Sequence, residues 1–406
     1  MIMFNYHKVI LMQLYKKIII LSIILFSVGL YQLRGLGIFV RLMDVMTVLL
    51  IIVHLILFIL YGRLDQKVKK HFAVPIILLL AGIVISSLGA EYINNQSWGV
   101  TLYQQRHMYA FLFYFLLFYL APKPKWIIDL LFYFGIAGGL FFVIQYVLYP
   151  TLITDAKIFL DRGTIRMNLP GTYFVNIGFF LSVDRFFATK KMKYGAGALL
   201  LFLVALLSGF RSILALYVLL TTGYLLVSKQ VKHKALIFSL YSVVVISGFF
   251  AFHGIIMEMK ESAEREGSQG TSYIRVRAAD YYLSMNDNNK IAYIIGNGEP
   301  SERSAYGRRI SLISLRYGYY LSDIGVVGLF FKYGLLPSLI VFFIIFKVLF
   351  TKLDEKTVFI KLFFLFQLLV IFNSVTSFER LSGIIAVCLM LYLYDMSLFE
   401  RSLKEP

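Results

Sequence analysis

Arg211 is the only charged residue between Tyr194 and Ser228. That stretch is too long for one apolar helix and suits two short ones joined at Ser208 and Gly209, residue types that favour turns. Arg211 then opens the second helix, where the macrodipole already disfavours a cation, and lies at or below a membrane surface, where a charge is costly and usually faces a cavity. An anion there would gain from the guanidinium and from the free amides of the helix start together. The competing role is a side chain reaching up to the lipid headgroups. The same face of the chain carries Arg34, Arg41, Arg106, Arg162, Arg166, Arg265, Arg275, Arg277, Arg303, Arg308, Arg309, Arg316 and Arg380. The planar fork of arginine suits phosphate and carboxylate better than the point charge of lysine does. An anionic partner is expected on this face, against the plainer alternative that the arginines pair with Glu258, Glu261, Glu264 and Glu266.

The elements that position them follow from composition. Of 406 residues, 59% are hydrophobic, and the mean hydropathy is +0.78. Apolar runs of about 20 residues, each long enough to cross a bilayer as a helix, recur from end to end. The fold class expected is an all-α polytopic membrane protein, a single integral membrane domain over 1–406. About twelve spans are read, near 17–33, 42–61, 72–90, 107–121, 126–149, 171–188, 195–208, 211–228, 235–253, 321–350, 357–375 and 381–397. The first 15 residues lack a signal-cleavage pattern, so the first span is expected to be retained.

Lysines mark alternate connections. Lys8, Lys16 and Lys17 precede the first span; Lys67, Lys69 and Lys70 follow the second. Lys123 and Lys125, then Lys190, Lys191 and Lys193, then Lys229, Lys232 and Lys234, then Lys347, Lys352 and Lys356 continue the pattern. These connections and both termini are expected in the cytoplasm. The net charge of +18 arises partly from this pattern, and no nucleic acid is needed to explain it. Cys388 is the only cysteine, which excludes an intramolecular disulfide or a thiolate cluster. No Asp-x-Asp stands on the outer loops, and His71, His107 and His233 show no partner spacing; His253 reads as structural.

One outer loop is long, 254–320, between spans nine and ten. Loops of this length in compact proteins are mostly functional. Met257–Glu266 and Ile274–Met285 read as helices within it, and "IIGNGEP" as a closing turn. The next largest outer segment is "TDAKIFLDRGTIRMNLPGTYF".

In this order, the motifs resemble those of the O-antigen polymerase (Wzy-type) and O-antigen ligase superfamily of membrane glycosyltransferases. "LLSGFRSILAL" is similar to the family's Ser-Arg turn, with Arg211 matching its arginine. "IRVRAADYYLSM" followed by "IIGNG" resembles its loop motif; Arg277 fits the arginine best by its spacing to Tyr281, and Arg275 is second. "SDIGVVGLFFKYGLLPS" resembles the entry into the next span, and "IRMNLPGTYF" offers Arg166. Ligases carry a histidine where this chain has Asp323, and a glutamate where it has Lys332. That departure favours the polymerase branch.

The resemblance implies a GT-C-like architecture at the periplasmic face of the bacterial inner membrane. It implies an undecaprenyl-pyrophosphate-linked oligosaccharide as donor and another as acceptor, with membrane lipids and a chain-length regulator as further partners. It also implies reaction by inversion, without metal or cofactor. Arg211 and Arg277 would stabilise the departing pyrophosphate, and Asp323 would position or deprotonate the acceptor hydroxyl. Arg166, Arg275, Arg316 and Tyr281 would bind pyrophosphate and glycan. Asp323 suits an N-cap of the tenth span equally well. The runner-up activity is ligation of glycan to lipid A core; a lipid-linked oligosaccharide flippase or exporter is the reading from another class.

Overall fold

The computed structural model describes residues 2–61, 68–161, 164–287 and 289–404; Lys67 and Arg162 lie outside them. Helices α1 (Ile2–Ser27), α2 (Gly37–Tyr61) and α3 (Ala73–Asn94) lead to α4 (Trp98–Gln104), α5 (Phe113–Leu120) and α6 (Pro124–Leu148). A small antiparallel pair, β1 (Ile158–Asp161) and β2 (Thr164–Met167), precedes α7 (Thr172–Thr189), α8 (Met192–Leu207), α9 (Arg211–Val227) and α10 (Lys234–Ala251). The long segment after α10 forms α11 (His253–Ser268), α12 (Ile274–Ser284), α13 (Ile291–Ile295) and α14 (Ala305–Tyr317). The chain ends with α15 (Gly325–Tyr333), α16 (Leu335–Phe350), α17 (Val358–Val370) and α18 (Leu381–Ser402).

Among the described residues, six helices are long and apolar enough to cross a membrane, and five shorter apolar helices accompany them. Helices suit this role because every backbone polar group is satisfied within the segment. α18 is the axis of the bundle: from Leu381 to Asp395 its side chains are buried. α10 is the opposite case, with no buried residue at all. Aromatic packing knits the interior, and the rings of Phe179 and Tyr217 stack at 3.8 Å with 1° between their planes.

The expected span 321–350 is not one helix. α15 ends at Tyr333, and α16 begins after Gly334. Gly334 and Gly296 both have φ +79°, a conformation open chiefly to glycine. The amides of Asn297 and Gly298 donate to the carbonyls of Phe331 (3.0 Å) and Lys332 (2.7 Å). The turn read from "IIGNGEP" is therefore inserted at the break and takes over the last carbonyls of α15, which a helix end leaves unpaired. Contact here is backbone on backbone. A Cβ on Gly296 would fall 2.4 Å from Lys332 O, one on Gly334 2.3 Å from Ile294 O, and one on Gly89 of α3 2.2 Å from Gly296 O.

This segment is a folded cap with its own core of Ala278, Tyr282, Tyr306, Ile310, Ile313 and Tyr319, packed on Ile324 and Phe331. On the lysine-rich side, His71 Nδ1 lies 2.9 Å from Asp395 Oδ1, Tyr114 donates to the same carboxylate, and Lys347 donates to His71 O (2.8 Å). His71 thus has a partner 324 residues away, which no local spacing could reveal.

Candidate functional site

A cavity of about 1930 Å³ opens between the cap and the bundle. Among the described residues, its wall is drawn from every lysine-poor connection and from none of the lysine-rich ones. Among the described residues, seven arginines (Arg41, Arg106, Arg166, Arg211, Arg275, Arg303 and Arg380) and Lys332 line it, against six carboxylates: Asp44, Glu266, Glu299, Glu302, Asp323 and Glu379.

The turn before Arg211 is built as the sequence predicts. α8 ends at Leu207, Gly209 has φ +69°, and Arg211 is the first residue of α9. β2 braces it: Thr164 donates to Leu207 O, and a Cβ on Gly209 would fall 2.4 Å from the Thr164 methyl. Arg166, paired across the sheet with Phe159, lies 5.6 Å from that ring and 4.3 Å from the ring of Phe210. Two arginines are thus brought to one turn. Arg211 Nη2 lies 2.6 Å from Glu266 Oε1 on α11, and Nη1 donates to Met259 O (3.4 Å). Glu266 also accepts from Tyr273 (3.0 Å) and Ser262 (3.3 Å). Burial, ahead of its neighbours' charges, raises the Tyr273 phenol above its ordinary value.

Arg275 opens toward the same cavity. Arg277, two residues on, leaves the opposite side of α12 and lies 6.0 Å over the ring of Tyr319. Tyr281 joins that cluster, 5.6 Å from Tyr319 and 6.4 Å from Tyr317, and Arg316 lies 5.4 Å over Tyr317. Arg277, Arg316 and Tyr281 therefore share one aromatic cluster, and none of the three lines the cavity. Arg41, Arg275, Arg303 and Arg380 form no side-chain hydrogen bond or ion pair among the described residues.

Asp323 ends a short 3-10 turn on the cavity rim and accepts from Ser322 (3.1 Å). It is not the N-cap: Ile324 holds that place, and no side chain caps α15. The turn before Gly325 shifts the helix start one residue beyond the carboxylate's reach.

Deeper in, Lys332 Nζ lies 2.5 Å from Glu379 Oε1 and 3.2 Å from Glu299 Oε2. The lysine is 6% exposed, Glu379 11% and Glu299 26%, so the charge lies under the cavity floor with Glu299 uppermost. Tyr333 donates to Glu299 Oε2 (2.8 Å). Burial raises the Glu379 carboxyl above its ordinary value, with Lys332 opposing; burial also lifts the Tyr306 phenol, and Glu299 adds to it. On the far wall His107 Nε2 lies 3.4 Å from Asp44 Oδ2. Among the described residues, no group of three or more His, Cys, Asp or Glu is placed to hold a metal ion.

Sequence reasoning did not reach Glu299, Glu379 or the His107–Asp44 pair. Glu299 carried a usable signal, since it directly follows the Gly-x-Gly turn. Lys332 was legible only as a departure from the ligase pattern. No family model matches the chain, and neither a curated protein nor a solved structure matches it.

Proposed function

We propose that this chain is a surface-polysaccharide (O-antigen) polymerase. It spans the bacterial inner membrane about twelve times, with both termini in the cytoplasm and the cavity facing the periplasm. It transfers an undecaprenyl-pyrophosphate-linked oligosaccharide onto the next lipid-linked repeat unit. The observation that carries this reading is the cavity wall, with seven arginines drawn from lysine-poor connections alone. Positive charge on an outer face runs against the bias that places lysines in the cytoplasm, and a polyanionic group at that face explains it.

Arg211, Arg166 and Arg275 are the side chains we assign to the pyrophosphate. Charge gathers on that group as the bond to the anomeric carbon breaks, and fixed cations aimed at it lower the barrier. Asp323, on the rim, is assigned to the acceptor side. The cap supplies the wall that keeps this exchange out of bulk water.

Deletion of the gene tests the reading. Loss of a polymerase leaves a single repeat unit on the lipid A core, because ligation of one unit still proceeds. Bare core with accumulating lipid-linked glycan indicates the ligase instead. Full-length glycan in the deletion strain removes both.

A further inference from the structure

Among the described residues, six carboxylates line the cavity, and five are engaged or unsupported. Glu266 is committed to Arg211, Asp44 faces His107, and Glu379 is paired with Lys332. Glu302 and Asp323 are exposed, and Asp323 accepts only from its own neighbour Ser322 among the described residues. Glu299 differs in three ways. Both of its side-chain contacts, from Lys332 and Tyr333, fall on Oε2. Oε1 has no partner among the described residues, and the side chain is part-exposed on the cavity wall. Its backbone is fixed on both sides: Gly298 donates to Lys332 O, and the buried Gln96 amide donates to Glu299 O (2.8 Å) while its oxygen accepts from Ser301 N (2.9 Å).

We infer that Glu299 is the base of the transfer, with Lys332 and Tyr333 as positioning residues. This rests on the glycosyl-transfer reading above. As the acceptor hydroxyl oxygen bonds to the anomeric carbon, its proton passes to Oε1. The bond from that carbon to the pyrophosphate oxygen breaks, and the electron pair leaves on the pyrophosphate toward the arginines. A base oriented by a third group on a rigid element is the arrangement such a proton transfer requires. Lys332 and Tyr333 hold the carboxylate in place through Oε2, and that leaves the second oxygen for the substrate.

The test uses the full chain in lipid nanodiscs with an undecaprenyl-pyrophosphate-linked repeat unit as donor and acceptor. Glu299→Gln keeps the shape and the Tyr333 contact. It is expected to cut turnover by about 10²- to 10⁴-fold, the range of a lost general base, with the donor KM and the melting temperature little changed. Glu299→Asp distorts more but keeps the carboxylate, so it is expected to turn over faster than Glu299→Gln. A purely structural Glu299 gives the reverse order, because the isosteric amide is the better fit. A Gln variant losing less than about tenfold, or ranking above Asp, overturns the assignment while the polymerase reading stands. Absence of any extension by the wild-type chain overturns that reading and the assignment with it.

Discussion

Arg211 Nη2 and Glu266 Oε1 are 2.6 Å apart, and the pair joins the first residue of α9 to the cap helix α11. The one charge of a long apolar stretch is therefore tied to a cap residue and still faces the cavity. Pairing with a local acid and service to an anion are compatible: the carboxylate presets the guanidinium, and part of its donor set stays open to the cavity.

Arg211→Lys separates these roles. Lysine keeps the charge and can still reach Glu266, but it lacks the fork. Losing one charge-assisted hydrogen bond to pyrophosphate, about 1.5–3 kcal/mol, slows transfer by about 10- to 150-fold. Glu266→Gln, which loosens the anchor and leaves the fork, is expected to cost less. Rates measured at matched membrane levels decide it; a fully active Arg211→Lys makes this residue an anchor alone.

Arg275 and Arg277 are expected to part company. Arg275→Ala removes an unpaired cation from the cavity wall, so turnover falls and inhibition by inorganic pyrophosphate weakens. Arg277→Ala removes a contact over Tyr319 worth about 0.5–1 kcal/mol at an exposed site, visible as a small drop in melting temperature. Side-by-side inhibition curves check this, and the opposite ranking returns Arg277 to the site.

Gly334→Ala is expected to cost more than about 3 kcal/mol. The positive φ is strained for alanine, and the new methyl meets Ile294 O at 2.3 Å. Loss of the seam detaches the cap, so proteolysis in the 286–304 segment should rise with the fall in melting temperature. An alanine variant with unaltered melting and cleavage contradicts the seam.

The lone thiol offers a topology test. Cys388 is fully buried, so the parent chain gives a quiet background for labelling. With an impermeant maleimide, Arg308→Cys is expected to label in spheroplasts, and Lys191→Cys only after the membrane is opened. Both side chains are exposed. The reverse pattern places the cavity on the cytoplasmic side and removes the polymerase reading.

Local pattern carried much of the architecture. Hydropathy placed the helices, and Ser208–Gly209 placed the turn before Arg211, because chain-local turn chemistry decides both. Of the four helices in the long segment after α10, α11 and α12 were legible for the same reason, whereas α13 and α14 were not read from the sequence. The break at Gly334 was not, since it depends on a segment almost forty residues upstream arriving to accept the work of an absent helical turn. Choosing between Arg275 and Arg277 needed the rotation of α12, which spacing to Tyr281 does not supply. His107 and His71 looked solitary because Asp44 and Asp395 lie far away in sequence, and Glu299 gains its meaning only once Lys332 is beneath it.

The joint between the glycine turn and the helix break has a consequence for how tolerance to change is read in this chain. At Gly89, Gly296 and Gly334 the neighbours are carbonyl oxygens at 2.2–2.4 Å from any added methyl, and no rotamer elsewhere can make room for it. A saturation scan would therefore rank these positions among the least permissive, although they carry no functional group. The arginines, each one of several around a wide cavity, would rank as more forgiving. Ranking by intolerance alone would lead to the hinge-free joint that holds the wall; pairing it with chemically matched swaps, Gln against Asp or Lys against Arg, would lead to the wall's working face.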